Sequence, residues 1–435
     1  MIEPRVLKGF RDFLPAQETA RRLLVEKIEA SFRSFGFVPI DTPVLEYAEI
    51  LLGKGGGETE RQVYRFTDHG GRDVALRFDL TVPFARFVAE HRGELPFPFK
   101  RYHIAKVWRG ENTQRGRYRE FTQCDFDIVG SDCAAADFEI LLMMKNTLAA
   151  IGAGEITIRI NHRGLFNRFL EKIGAKDKSV EVLRQVDKLS KIGEDEVRTQ
   201  LAGLLDDEKA RRILEFSGCG KQKSFEETLA ALSEAAGPGP DTERLQSLRT
   251  FMNDTGGAET FVLDPSITRG LDYYTGVVYE TFLDRLPGIG SVCSGGRYDN
   301  LTGLYLKETI PGVGSSIGLD RLQAALEELG SASSAGAWTP AAIICRDGEE
   351  AGRLQALAES FRREGIPCDV FLEPKKLSQQ FVSAEKKGIP WAIIPDSGGI
   401  TLRNIATREN REGLSLSQAA AALKAALKAA GKERL

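Results

Sequence analysis

At 435 residues and 47.9 kDa, the chain can bury two or three separate hydrophobic cores. Its 42% hydrophobic and 28% charged content is that of a globular protein. With no run of eighteen apolar residues and an N-terminus, MIEPRVLKGFRDFLPAQ, that lacks an apolar stretch, neither a membrane span nor secretion is expected, and a net charge of −3 excludes a generic nucleic-acid coat.

In chain order, Lys8–Asp12 reads as a polar turn. Residues Thr19–Phe35 then repeat apolar positions at helical period (Leu23, Leu24, Ile28, Phe32) until Gly36. Gly36–Glu46 pairs a short strand with a turn, and Pro39 and Pro43 confine that strand to an edge. Gly53–Glu60 is flexible by composition. Val63–Thr67 and Asp73–Phe78 predict hairpin strands around His69-Gly70-Gly71, followed by a helix over Val82–Glu90 with Pro83 in its first turn. Between strand and helix, Asp79-Leu80-Thr81 can face a cleft or simply cap the helix.

Lys100–Gly130 is the stretch richest in chemistry. Two apolar-patterned runs, Tyr102–Trp108 and Phe121–Val129, flank a polar segment holding Gly110 and Gly116, which predicts a long-looped antiparallel hairpin. From Lys100 to Arg119 there are seven Lys or Arg and one acid, Glu111, while the second strand carries Asp125 and Asp127. Arginine forks at such a bend suit a phosphate or carboxylate, although a solvated basic edge has the same composition.

A helix is predicted over Ala134–Ala150 and a strand over Ile156–Ile160. Gly174–Gly257 is charged, rich in Leu and Ala, and free of proline until Pro238, which predicts several amphipathic helices inserted between strands of the main sheet. Arg269-Gly270-Leu271-Asp272-Tyr273-Tyr274 then mixes base, acid and aromatics in six residues before a strand at Thr275–Phe282. Two glycine-rich stretches follow, Ser294–Asp299 and Gly312–Leu322, the second carrying Arg321 near its end. Gly330–Gly336 is a linker by composition. Beyond it, strands at Ala341–Cys345, Cys368–Phe371, Trp391–Ile394 and Ile400–Arg403 alternate with helices at Glu349–Arg363, Lys376–Lys387 and Ser415–Ala430. That alternation predicts a small, mostly parallel α/β domain.

Six scattered cysteines without a C-x-x-C pair predict free thiols in a reducing compartment. The four histidines never stand at ligand spacing, so no protein-held metal is expected.

Taken in order, these stretches resemble the class II aminoacyl-tRNA synthetases, and the histidyl-tRNA synthetases in particular. LKGFRDFLP (Leu7–Pro15) resembles their K-G-x-R-D-x-x-P opening, Gly36–Glu46 motif 1, Lys100–Gly130 motif 2 and Gly312–Leu322 motif 3. Arg269–Tyr274 matches a signature peculiar to the histidine enzymes. Where many bacterial members carry R-P-E-G-T, this chain has Arg77-Phe78-Asp79-Leu80-Thr81, closer to the eukaryotic-type wording.

The resemblance implies an α/β fold whose α+β catalytic domain, a class II antiparallel sheet flanked by helices, spans 1–329 with a helical insertion at about 174–257. A linker at 330–336 and a C-terminal α/β anticodon-binding domain at 337–435 complete the expected order. It implies ATP-dependent attachment of L-histidine to tRNA(His) through an adenylate, Mg²⁺ arriving with ATP, a cytoplasmic location and a homodimer formed through motif 1. It assigns Arg109 and Arg269 to the α-phosphate and the amino-acid carboxylate, with Glu111, Arg117 and Arg321 also on ATP. Asp79, Leu80, Thr81 and Gln123 would receive the α-ammonium, and Asp127 with Tyr273 and Tyr274 the imidazole. A regulatory paralogue that senses histidine typically lacks the anticodon domain and the Arg269–Tyr274 signature; this chain has both.

Overall fold

The computed structural model describes residues 1–53, 58–221, 223–268, 273–331, 338–346 and 351–429. Most of the predicted linker, the centre of Gly53–Glu60 and Arg269–Asp272 therefore lie outside the described residues. Contacts divide the chain into two units, Met1–Asp12 with Leu24–Ala332 and Phe13–Leu23 with Ser333–Leu435.

In chain order the strands of the first unit are β1 (Val38–Pro39), β2 (Leu45–Tyr47), β3 (Arg65–Thr67), β4 (Asp73–Leu76), β5 (Phe99–Trp108) and β6 (Glu120–Val129). They continue with β7 (Ile156–His162), β8 (Phe261–Leu263), β9 (Val277–Leu283), β10 (Cys293–Arg297) and β11 (Gly312–Gly318). Eight of them form one sheet in the order β1-β5-β6-β11-β10-β9-β7-β8, antiparallel throughout its centre and parallel only at its two outer pairs. The predicted motif 2 hairpin is its longest pair, in unbroken register from Phe99↔Val129 to Trp108↔Glu120.

Strand alternation gives this sheet two unlike faces. Tyr102 of β5 and Cys124, Phe126 and Ile128 of β6 enter the main core, where Phe32 of the helix Pro15–Ser34 meets the rings of Phe126 and Tyr102 at 4.8 and 5.7 Å. The helix Ala134–Ala150 adds Phe138, Leu141, Met144 and Leu148 to that core. Arg101, His103, Gln123, Asp125 and Asp127 lie on the other face.

The expected insertion is helical, with helices at Ser179–Val186, Glu194–Leu204, Asp207–Gly218, Phe225–Ala236 and Pro240–Thr255. The fourth starts at a capping box: Ser224 Oγ accepts from Glu227 N at 3.2 Å while the Glu227 carboxylate accepts from Ser224 N at 2.8 Å. The insertion's apolar residues join the main core, with Phe169 and Phe216 stacked 4.1 Å apart.

Leu45–Tyr47, Arg65–Thr67 and Asp73–Leu76 make a small separate sheet. Its last strand stops at Leu76 rather than at the predicted Phe78. Arg77 leaves the ladder there, its backbone N–H bonding Val44 O at 3.0 Å and its guanidinium donating to Thr42 O and Lys106 O at 2.7 and 2.9 Å.

In the second unit, β12 (Ala341–Ile343), β13 (Cys368–Val370), β14 (Trp391–Asp396), β15 (Gly399–Asn404) and β16 (Asn410–Leu414) form a sheet ordered β13-β12-β14-β15-β16. Its first two pairs are parallel and its last two antiparallel, which corrects the expectation of a mostly parallel sheet. A tight turn from Asp396 to Gly399 folds β15 back on β14, and β16, almost wholly exposed, has no apolar alternation by which to be read.

Phe32→Ala should cost roughly 3–5 kcal/mol through the cavity left between helix and hairpin. Denaturant unfolding that shows less than about 1 kcal/mol would place the core elsewhere.

Candidate active site

The polar face of the hairpin is organised in rows fixed by register. One row carries Arg101 of β5, Asp127 of β6, Gly314 of β11 and Gly296 of β10; the next carries His103, Asp125, Ser316 and Ser294; a third carries Ala105, Gln123 and Gly318. In the first row Arg101 Nη2 lies 2.7 Å from Asp127 Oδ2, and Tyr298 Oη donates to Asp127 Oδ1 at 2.5 Å. Arg101 is wholly buried, its guanidinium 4.1 Å from the Phe84 ring centre, and Nη2 also reaches Leu80 O at 3.4 Å. The glycine at 314 is required: a Cβ there would lie 1.9 Å from Asp127 Oδ1, so any side chain would expel the carboxylate.

Burial sets the electrostatics. It raises the Asp127 carboxyl above the ordinary aspartate range against the opposing pull of Arg101. Asp125 is pushed up to about 7, by burial first; Arg101 counters, the neighbouring Asp127 adds to the rise and the Ser316 hydroxyl opposes it. Asp79 is likewise raised by burial, against the Val82 N–H and the charge of Arg109.

Asp79, Leu80 and Thr81 stand where β4 gives way to the helix Thr81–Glu90, and all three are buried. Asp79 Oδ1 accepts from Val82 N at 3.0 Å, so capping and a place beside the acidic rows are both true of it. Tyr273 hydrogen-bonds the Thr81 side chain and Tyr274, their ring centres being 4.9 Å apart, and Tyr273 meets Tyr298 at 5.9 Å. Gln123 Nε2 donates to Ser316 Oγ at 2.9 Å. The expected histidine residues Asp79, Thr81, Gln123, Asp127, Tyr273 and Tyr274 thus belong to one neighbourhood.

The expected ATP residues gather at the loop end of the hairpin. Arg109 follows β5 and donates from Nε to Phe78 O at 3.1 Å, its guanidinium lying 4.4 and 5.1 Å from the ring centres of Phe78 and Phe121. Arg117 pairs with Glu111, while Arg119 Nε holds Glu111 O at 3.2 Å. Gly116, at φ +68°, brings the loop against Arg321: a Cβ there would stand 3.2 Å from Arg321 Cα. Arg321, in the first turn of the helix Leu319–Glu328, donates to Ser291 O at 2.7 Å. Asp320 joins this region to the N-terminal opening: it accepts from Thr122 N at 2.7 Å and pairs with Arg11, whose guanidinium lies 3.9 Å from the Tyr118 ring centre. Arg269 lies outside the described residues, so its expected role has no geometry here.

Sequence reasoning gave no role to Arg101, Tyr298, Asp125, Arg163 and Asp320. Hairpin register alone sets Arg101 opposite Asp127, so that residue was within reach. Tyr298 is 171 residues from its partner and carried no local signal. Arg163, which donates to Tyr274 O at 3.1 Å, is 111 residues from that partner. Among the described residues no group of three or more His, Cys, Asp or Glu side chains is arranged to hold a metal ion, and no helix is long and apolar enough to cross a membrane.

Comparison with known proteins gives the family. Residues 9–322 match the family model for histidyl-tRNA synthetase, and residues 341–426 that for an anticodon-binding domain. A histidine–tRNA ligase from Treponema denticola is 56% identical over 91% of this chain and 90% of its own length; one from Treponema pallidum (strain Nichols) is 50% identical over 94% and 95%. The crystal structure of histidyl-tRNA synthetase from Nostoc sp. PCC 7120 superposes with a TM-score of 0.85 at 30% identity, covering 98% of this chain and all of that one. With its sheet, its motif loops and its long-range matches in agreement, the chain belongs to the histidyl-tRNA synthetase family.

Proposed function

We propose that the chain attaches L-histidine to tRNA(His) in two steps. A carboxylate oxygen of histidine attacks the α-phosphorus of ATP, forming histidyl-adenylate and expelling pyrophosphate. A ribose hydroxyl at the tRNA 3′ end then attacks the activated carbonyl and AMP leaves. The observation that carries this reading is the juxtaposition of two unlike regions on one sheet, a buried acidic and phenolic pocket and a set of arginines at the strand ends. The first suits the ammonium and ring N–H donors of an amino acid and the second suits phosphates.

In the first step an anion attacks a phosphorus already surrounded by anionic oxygens, so fixed cations must offset repulsion and stabilise the charge that builds up. Arg109 and Arg269 take the α-phosphate and the carboxylate. Ring contacts with Phe78 and Phe121 support Arg109 in this role by restricting its guanidinium. Arg321 and Arg117 take the outer phosphates, Arg117 exchanging Glu111 for a phosphate oxygen, and Glu111 lies near adenine or the phosphates. Mg²⁺ enters with ATP as part of the substrate.

Free histidine, with a ring pKa near 6.5, is mostly neutral at pH 7 and shows one N–H donor and one acceptor nitrogen. Asp127 accepts the ring N–H, the Tyr274 hydroxyl faces the other nitrogen, and Tyr273 packs beside them. Asp79, Thr81 and Gln123, with the Leu80 main chain, receive the α-ammonium. Residues 1–329 serve as the catalytic domain, 330–336 as the linker and 337–435 as the anticodon-binding domain. The enzyme works in the cytoplasm as a homodimer, a reading supported by the exposed apolar side chains of Val38, Val44, Leu45, Tyr47 and Phe66 on and beside the motif 1 segment.

Arg109→Ala and Arg269→Ala should each lower histidine-dependent ATP–pyrophosphate exchange roughly a hundred- to a thousandfold. Near-normal exchange in either would contradict the assignment, and no exchange in the unaltered chain would favour a regulatory role. Asp127→Asn should raise the KM for histidine by roughly a hundredfold while leaving that for ATP within about twofold. Equal effects on both substrates would remove Asp127 from the histidine site.

A further inference from the structure

The acidic face holds a carboxylate that these roles leave unused. Gln123, Asp125 and Asp127 follow one another at a spacing of two residues on β6, so their side chains share the polar face. Asp127 is matched, with Arg101 on one oxygen and Tyr298 on the other. Asp125 is not. It is 2% exposed and takes a hydrogen bond from the Ser316 hydroxyl, yet its Oδ1 has no hydrogen-bond partner. Gln123 is in the same condition: its amide nitrogen is spent on Ser316 Oγ, and its Oε1, also buried, has no partner.

Among the described residues, Arg101 and Arg77 act on Asp125 electrostatically but no cation forms an ion pair with it. On β5 its cross-strand neighbour is His103, whose Nε2 is bonded to Asp41 Oδ1 at 2.9 Å. Burial, with Arg101 and Arg77 adding to it, lowers that imidazole to about 3, so at neutral pH it is uncharged. Arg101, also on β5, is 2.7 Å from Asp127. On β11 stands Ser316, and along β6 stand Gln123 and Asp127. The side facing the helix Thr81–Glu90 adds another acid, Asp79, and the phenol of Tyr273, both of which interact electrostatically with Asp125. Among the described residues, three acids thus lie about the fully buried Arg101, with Arg77 also acting on Asp125 and Arg109 on Asp79 from the rim. A buried carboxylate without a partner is costly to the fold, and a site that keeps one is set for a ligand that brings the opposite charge.

What remains open among the described residues is a pair of buried acceptors, Gln123 Oε1 and Asp125 Oδ1; the nitrogens left over beside them, Arg101 Nε and Nη1 and His103 Nδ1, belong to side chains already held at Asp127 and Asp41. A primary ammonium is the substrate group with three N–H donors and no acceptor. Asp125 is also spaced correctly. Two residues along a strand separate it from Asp127 by about 6.6 Å, comparable to the span from the amino nitrogen of histidine to its ring.

We propose that Asp125 is a further specificity-determining residue, a second carboxylate that receives the substrate's α-ammonium together with Asp79 and Gln123. This rests on the reading that histidine lies along the β6 face with its ring at Asp127. The pair Asp79 and Asp125 would then read the charge of the amino group, and Asp127 the ring.

The test compares two ligands that differ at the amino group. Histidinol keeps the ammonium and the ring; 3-(imidazol-4-yl)propionate keeps the ring and has no amino group. By calorimetric titration, Asp125→Asn should weaken histidinol binding about tenfold or more and change binding of the propionate less than about twofold, with ATP affinity unchanged. An equal loss for both ligands, or no loss for histidinol, overturns the proposal. Asp127→Asn, measured in parallel, should weaken both ligands. If it does so while Asp125→Asn has no effect, the ring site stands and the ammonium role falls; if neither variant matters, the reading of the whole pocket falls. Should Asp125→Asn fail to fold, a crystal of the unaltered protein with histidinol decides, with the amino nitrogen expected at about 3 Å from Asp125 Oδ1 and a position beyond hydrogen-bond reach overturning the proposal.

Discussion

The site depends on one ion pair made between adjacent strands, Arg101 with Asp127, inside the longest hairpin of the sheet. Either group alone in that position destabilises the fold, because a single buried charge without a partner costs several kcal/mol. Together they hold two strands in the register that also sets His103 opposite Asp125 and Ala105 opposite Gln123. Tyr298 and Leu80 O add hydrogen bonds from the next elements, and Gly314 leaves the space the carboxylate occupies. The pair is thus less a stabilising contact than a register pin around which a polar pocket can be kept dry.

From that pin follows the division of labour across the sheet. One face carries Phe126, Tyr102 and Ile128 into a core shared with the first helix and the insertion, and that core makes the hairpin rigid. The opposite face can then hold charges that a softer scaffold would let drift into water. Toward the loop end the polarity reverses. Arg109 is steadied by aromatic rings, Arg321 by a main-chain carbonyl, and Asp320 joins Arg11 of the opening segment to the start of β6. An acidic pocket that runs into a basic rim on a single sheet matches a substrate pair of opposite polarity, an amino acid beside a triphosphate.

Much of this was legible in the sequence because it is written locally. Alternation marked both strands of the hairpin, the helix expected over Ala134–Ala150 has those bounds, and the proline-free Leu/Ala stretch marked the insertion. The motif residues Asp79, Thr81, Gln123, Asp127, Tyr273 and Tyr274 were expected together and are found together. What escaped notice was whatever depends on distant partners. Tyr298 acquires its role only when β10 and β11 close over β6. Asp125 acquires its character only from the burial of neighbours on three elements. Strand ends were misplaced where a side chain overrode the pattern, as Arg77 does by capturing two carbonyls. The strand Asn410–Leu414 was invisible because its side chains face solvent and carry no period.

Removing the pin by charge while keeping its volume tests the account most directly. Arg101→Met should lower unfolding stability by roughly 3–5 kcal/mol by stranding the Asp127 carboxylate, and Arg101→Met with Asp127→Asn should regain most of that loss. The double variant, folded again, should still have lost histidine-dependent ATP–pyrophosphate exchange while binding ATP normally. Full exchange in that double variant, or a single variant as stable as the unaltered chain, would contradict the claim that this buried pair organises the site.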